Sequence, residues 1–185
     1  MKMEQRNLNN NILVADDLTI EGYAAVFDSP SHDLGGFIEI IDKGAFDDVI
    51  ERSDVVLVLN HDDSRGVFGR SKFGEGTLKL SIDEKGLKYS CQLSEKNAKA
   101  VELYDMIRRG DITTSSFCFT IAKDKWVEEN GQTVRHIIKI DRLFDVSPVY
   151  HEAYPDTSVS ARSENVMTKL AFAKYKLIKQ LNNIK

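Results

Sequence analysis

The dipeptide Asn130-Gly131, in the stretch WVEENGQTVRHI, constrains the fold of this chain more than any other feature. Asn-Gly between alternating residues specifies a two-residue type I′ hairpin turn, because both residues accept the positive φ that such a turn requires. With the turn centred there, Glu129 faces Gln132. Carried outward in the same register, Val127 meets Val134, Ile121 meets Ile140 and Phe117 meets Phe144. Residues directly opposite one another share a face, so these apolar pairs define a buried side, and a slip of one residue would scatter them. A hairpin this long commits the chain to a sheet-based core. A bulge along it would shift the register of its far end.

The other face carries the chemistry. The same register sets Ser116 opposite Asp145, Thr114 opposite Ser147, Cys118 opposite Leu143 and Thr120 opposite Asp141. Opposed Cβ atoms lie about 4.5–5.5 Å apart, so a serine and a carboxylate in that relation can share one imidazole. Ser116 also closes a run of four hydroxyl residues, from Thr113 to Ser116, at the mouth of the strand DITTSSFCFTI. Strand serines more often satisfy themselves on the backbone, and any hairpin of this length contains some Ser–Asp pair by chance.

Elsewhere the pattern alternates strands with short helices. LTIEGYAAVFDS (18–29) and VVLVLN (55–60) have the β-branched and aromatic content of strands, and the run between them ends in a short helix near Ala45 to Arg52. GTLKLSIDEKGLKYSCQL predicts a hairpin about an Asp-Glu-Lys-Gly turn. SEKNAKAVELYDMIRRG predicts a helix capped by Ser94 and stopped by Gly110, with Ala100, Leu103, Tyr104 and Ile107 on its inner face. Residues 1 to about 11 are polar and predict a frayed start. Residues 12–163 form one domain, and 164–185 form an amphipathic helical extension whose apolar stripe suits protein–protein contact.

Composition excludes several classes. A net charge of −4 gives no general attraction to nucleic acid or to an anionic membrane, and no apolar run approaches the roughly 20 residues of a membrane span. Cys91 and Cys118 form no CxxC pair and predict reduced thiols, not a zinc site or a disulfide.

His61 lies where the apolar run VVLVLN turns polar. It suits either a structural histidine or a general base, since a strand end holds the ring firmly and leaves it accessible. Ser116 would need such a base, and Asp145 would orient the imidazole. Asp145 could otherwise pair with Arg142 or Lys139. Cys118, flanked by phenylalanines, suits an inert thiol better than a rival nucleophile. A metal site seeded by His61, Asp62 and Asp63 is a further alternative, although consecutive strand residues alternate faces.

Eight segments in order, GYAAVFD, FIEIIDKGAF, VVLVLNHD, DEKGLKYSCQL, LYDMIRRGDI, SSFCF, LFDVSPV and AYPDTSV, give the chain its resemblance to the phage prohead proteases, capsid-maturation enzymes related in fold to herpesvirus assemblin. The resemblance implies an α+β fold, mainly an antiparallel β-barrel flanked by a few helices. It also implies a serine endopeptidase without a cofactor or metal, whose substrates are scaffold and major capsid proteins and which cleaves itself. It places His61, Ser116 and Asp145 on the family's motif positions, with Asp141 and Glu129 as other acids for the third role. Cys118 stands where the family has Gly, Ser115 where it has Met, and Glu152 where it has Pro. No arginine follows Asp145 until Arg162, so the family's arginine donors to the oxyanion are unmatched. The implied setting is the host cytoplasm, inside the assembling prohead, with a possible homo-oligomer and neither nucleic acid nor membrane as partner. A non-catalytic assembly module of the same fold, or a metal-dependent hydrolase, is the alternative function.

Overall fold

The computed structural model of the chain describes residues 4–8, 13–15 and 17–150, together with residues 174, 176 and 177. In chain order the elements are β1 (Glu4–Leu8), β2 (Leu13–Ala15), β3 (Thr19–Val26), β4 (Ile38–Ile41), α1 (Val49–Arg52), β5 (Asp54–Leu57), β6 (Gly69–Lys72), β7 (Glu75–Gly76), β8 (Leu78–Ile82), β9 (Gly86–Gln92), α2 (Ala98–Arg108), β10 (Thr114–Glu129) and β11 (Gln132–Val149). The fold is α+β, mostly antiparallel strands with few helices, as expected.

The Asn130-Gly131 hairpin is the spine of the larger sheet, whose order is β1-β10-β11-β5-β6-β7 with β4 also paired to β11. Both turn residues have positive φ, 51° and 81°. The register holds from Glu129 opposite Gln132 to Val127 opposite Val134, and again at Ile121 opposite Ile140. Beyond that it changes. Asp141 and Phe144 have no partner in the ladder, so Phe117 meets Val146 instead of Phe144. Two bulges on β11 account for the difference, each adding one residue to that strand. β4 and β5 run parallel to β11, which makes the sheet mixed.

The smaller sheet, β2-β3-β9-β8, is wholly antiparallel. The described strands thus make two sheets and no closed barrel. Ile20, Leu78, Leu87 and Tyr89 of the smaller sheet share one core with Val55, Leu57, Phe117, Phe119 and Val146 of the larger. Phe117 stacks on Phe119 with ring centroids 4.6 Å apart and meets Phe46 at 5.7 Å. Burying each such side chain contributes about 1.5–3 kcal/mol, so the inner face of β10 is a principal anchor of the fold.

The helices differ from expectation at their ends. The inner face of α2 is Ala100, Leu103, Tyr104 and Ile107, as the periodicity predicts, but its N-cap is Asn97, whose side chain accepts from the Lys99 N–H, and not Ser94. The short helix begins only at Val49, because Asp48 sits at φ 61° and no continuous helix passes through that conformation. The polar N-terminus is not wholly frayed: β1 pairs antiparallel with β10. The predicted C-terminal helix lies almost entirely outside the described residues, of which Lys174, Lys176 and Leu177 are helical and exposed.

Candidate active site

β5 delivers His61. Val56 and Leu57 pair in parallel with Asp145 and Val146, and the chain stays pinned to β11 beyond the strand. The Val58 N–H donates to the Val146 carbonyl at 3.4 Å and the Asn60 N–H to the Pro148 carbonyl at 2.9 Å. A tight turn follows, closed by the Asp62 N–H donating to the Leu59 carbonyl at 3.1 Å. Its two central residues, Asn60 and His61, have φ of 58° and 57°, the pattern of a primed turn. Asn and His are among the non-glycine residues most tolerant of that conformation. His61 therefore stands in a turn just past the strand, not on the strand end itself. Such backbone outliers concentrate at functional sites.

The turn places the ring between two strands of the hairpin. His61 Nδ1 lies 2.7 Å from Asp145 Oδ1, and His61 Nε2 lies 2.8 Å from Ser116 Oγ. A carboxylate only accepts, so Nδ1 carries the hydrogen and the neutral ring presents the Nε2 lone pair to the Ser116 hydroxyl. The His61 and Asp145 side chains are only 11% and 12% exposed, and Ser116 is 0% exposed. Charges developing here are poorly screened by water.

Ser116 is not opposite Asp145. The bulges move the pairing by two residues, so Ser116 meets Ser147 and Cys118 meets Asp145. Two residues are one full pleat, which keeps Ser116 and Asp145 on the same face as diagonal neighbours. The imidazole spans that diagonal. Ser147, which the sequence did not single out, donates from Oγ to Asp145 Oδ1 at 2.6 Å. Its position two residues after Asp145 on the same strand was the available signal.

The other candidates lie elsewhere. Ser115 faces the core, where its Oγ meets the buried Tyr89 hydroxyl at 2.8 Å. Burial pushes the Tyr89 phenol well above its ordinary pKa. Gly22 leaves room for that ring, since a Cβ there would come within 3.1 Å of the Tyr89 hydroxyl oxygen. Cys118 is buried beside Asp145. Asp141 accepts from the Thr120 hydroxyl at 3.3 Å, and Glu129 meets His136 Nε2 at 3.3 Å, so neither acid serves His61. Asp62 caps the one-turn helix Asp63–Arg65 through the Ser64 N–H. Among the described residues, no three His, Cys, Asp or Glu side chains are grouped to hold a metal, and no helix is long and apolar enough to cross a membrane.

The arrangement can move a proton from a hydroxyl to an imidazole held by a carboxylate. The family model described as caudovirus prohead serine protease matches residues 4–171. No curated protein and no solved structure matches the chain. The family match covers most of the sequence, every strand of both sheets and all three residues of the hydrogen-bonded chain. The chain belongs to the caudovirus prohead serine protease family, whose members serve phage capsid maturation.

Proposed function

We propose that Ser116, His61 and Asp145 are the catalytic triad of an endopeptidase that cleaves scaffold and major capsid proteins, and itself, inside the assembling prohead. The observation that carries this reading is the continuous hydrogen-bonded chain from Ser116 Oγ through the ring of His61 to Asp145 Oδ1. Ser116 Oγ attacks the scissile carbonyl while its proton passes to His61 Nε2. Asp145 holds the ring in the right tautomer and faces the imidazolium that forms. His61 then returns the proton to the leaving amine, and the C–N bond breaks. Water, activated by the same imidazole, hydrolyses the acyl-enzyme and regenerates Ser116. Backbone N–H groups stabilise the oxyanion. No metal or cofactor enters the reaction.

Residues 12–163 act as the catalytic domain in this reading, and 164–185 as a tether to scaffold, capsid protein or a second copy. The relation to the assemblin barrel belongs to the same proposal, with the two sheets as an opened form of it.

Co-expression of the chain with the scaffold and major capsid proteins of its own phage tests the reading. Intact mass spectrometry should find new termini with the wild type and none with Ser116→Ala. Cutting that survives Ser116→Ala would refute the nucleophile. Assembled but uncut proteins in both cases would make the chain an assembly module.

A further inference from the structure

Ser116 is fully buried, so a peptide must displace something to reach it. β10 has two edges at this point. One is held by β11, which carries Asp145 and Ser147 and cannot leave without dismantling the site. The other is held by β1, five residues long and at one end of the larger sheet, with Leu8 opposite Ser115 and Asn7 opposite Ser116. Short terminal strands are the least costly parts of a sheet to release.

We propose that the outer edge of β10, from Ser115 to Phe119, is the binding edge for extended substrate segments, and that Glu4–Leu8 occupies it as an internal surrogate. The inference rests on the catalytic reading of Ser116. An open strand edge recognises main-chain N–H and C=O groups, so the ligand class is an extended peptide running antiparallel to β10, as β1 does. Such a segment, in the register of β1, carries its backbone past Ser116.

β1 is a competitor and not itself a substrate for a geometric reason. A paired strand lies in the plane of the sheet, about 4.8 Å from its neighbour, whereas a side chain stands off that plane. A scissile carbonyl must lift out of the ladder to meet Ser116 Oγ. β1 stays in regular register on both sides of Asn7, from Glu4 opposite Phe119 to Leu8 opposite Ser115. A tethered strand also acts at a roughly millimolar effective concentration. It outcompetes dilute peptide and yields where substrate is crowded.

Two variants test this with one assay, cleavage of a pool of synthetic unstructured peptides followed by mass spectrometry. Gln5 stands opposite Cys118, so Gln5→Cys sets two thiols across the ladder. Opposed Cα atoms there are about 4.5–5.5 Å apart, within the span of a disulfide. Oxidation should lock β1 down and slow cleavage by at least about tenfold, with recovery on reduction. Removing residues 1–8 should raise cleavage, a change opposite in sign to damage, and the added peptide of residues 1–11 should then inhibit by raising KM without lowering kcat. Equal cleavage by the oxidised and reduced Gln5→Cys forms would overturn the proposal, and that variant decides if the truncated chain does not fold. So would a truncated, folded enzyme no faster than wild type. If wild type and reduced variant cut nothing and a fluorophosphonate fails to label Ser116, the catalytic reading itself fails and this one falls with it.

Discussion

Replacing Asp145 by asparagine removes a charge from the site while keeping its shape. In the native arrangement a single oxygen, Oδ1, accepts from both His61 Nδ1 at 2.7 Å and Ser147 Oγ at 2.6 Å. Both neighbours are donors, so the amide of Asp145→Asn keeps its carbonyl oxygen toward them and turns its NH2 away. His61 then retains the tautomer that offers Nε2 to Ser116. What is lost is the negative charge facing the imidazolium. Two unit charges about 4 Å apart at an effective dielectric of about 20 interact by about 4 kcal/mol, which corresponds to a fall of about a thousandfold in kcat/KM. Ser147→Ala alone should cost about threefold, because the carboxylate still faces His61 with a full charge. In the Asp145→Asn background the same change should cost about tenfold, because nothing then orients the amide. Peptide cleavage by the four proteins, each checked for unchanged urea midpoint, measures the cycle. An Asp145→Asn enzyme within tenfold of wild type would refute the electrostatic argument, and additive effects would refute the anchoring role of Ser147.

Three further outcomes follow from the surroundings of the site. Ser115→Ala strands the buried Tyr89 hydroxyl and should lower stability by about 1–3 kcal/mol in urea titration, while fluorophosphonate still labels Ser116. Burial disfavours a charged His136, but hydrogen bonds and charge from Asp42 and Glu129 outweigh it and hold its pKa above the ordinary value. A raised folded pKa stabilises fully below the unfolded value of about 6.5 and is lost as pH rises through the folded one. The urea midpoint of wild type should therefore fall over that range, and His136→Gln should remove that part of the fall. Ser71 Oγ is buried on β6 without a hydrogen-bond partner among the described residues, so Ser71→Ala should raise stability by about 1 kcal/mol in urea titration, and a loss of stability would refute this.

How far the sequence carried is clearest along the hairpin. Asn130-Gly131 determines its turn because few dipeptides accept two positive φ values in succession, and the pairing near the turn follows from counting. Asp141 and Phe144 were invisible as bulges, since neither is a Gly or Pro and side-chain identity does not mark a missed ladder contact. The inner face of α2 was legible from its 3.6-residue period, whereas Ser94 and Asn97 are both good caps three residues apart and only the backbone decides between them. His61 and Ser116 could be named from motif and resemblance. The left-handed pair at Asn60 and His61 could not, because β-turn type depends on how β5 docks on β11. β1 was hidden by its polarity: EQRNL carries no strand pattern, and its pairing follows from the edge that β10 presents.

The bulges of β11 at Asp141 and Phe144 also govern how such a gene can change length. Deleting either Asp141 or Phe144 removes a bulge and leaves the pairs on both sides of it with the same partners, whereas deleting a paired residue such as Val146 turns the strand beyond it to the opposite surface. Losing both leaves a regular ladder there, with Asp145 still opposite Cys118 and Ser147 still opposite Ser116. Length changes between Ser116 and Asp145 are thus tolerable mainly at the bulges, whose extra residues have no partner in the ladder, or within the exposed turn at Asn130-Gly131, where added length leaves both strands in step.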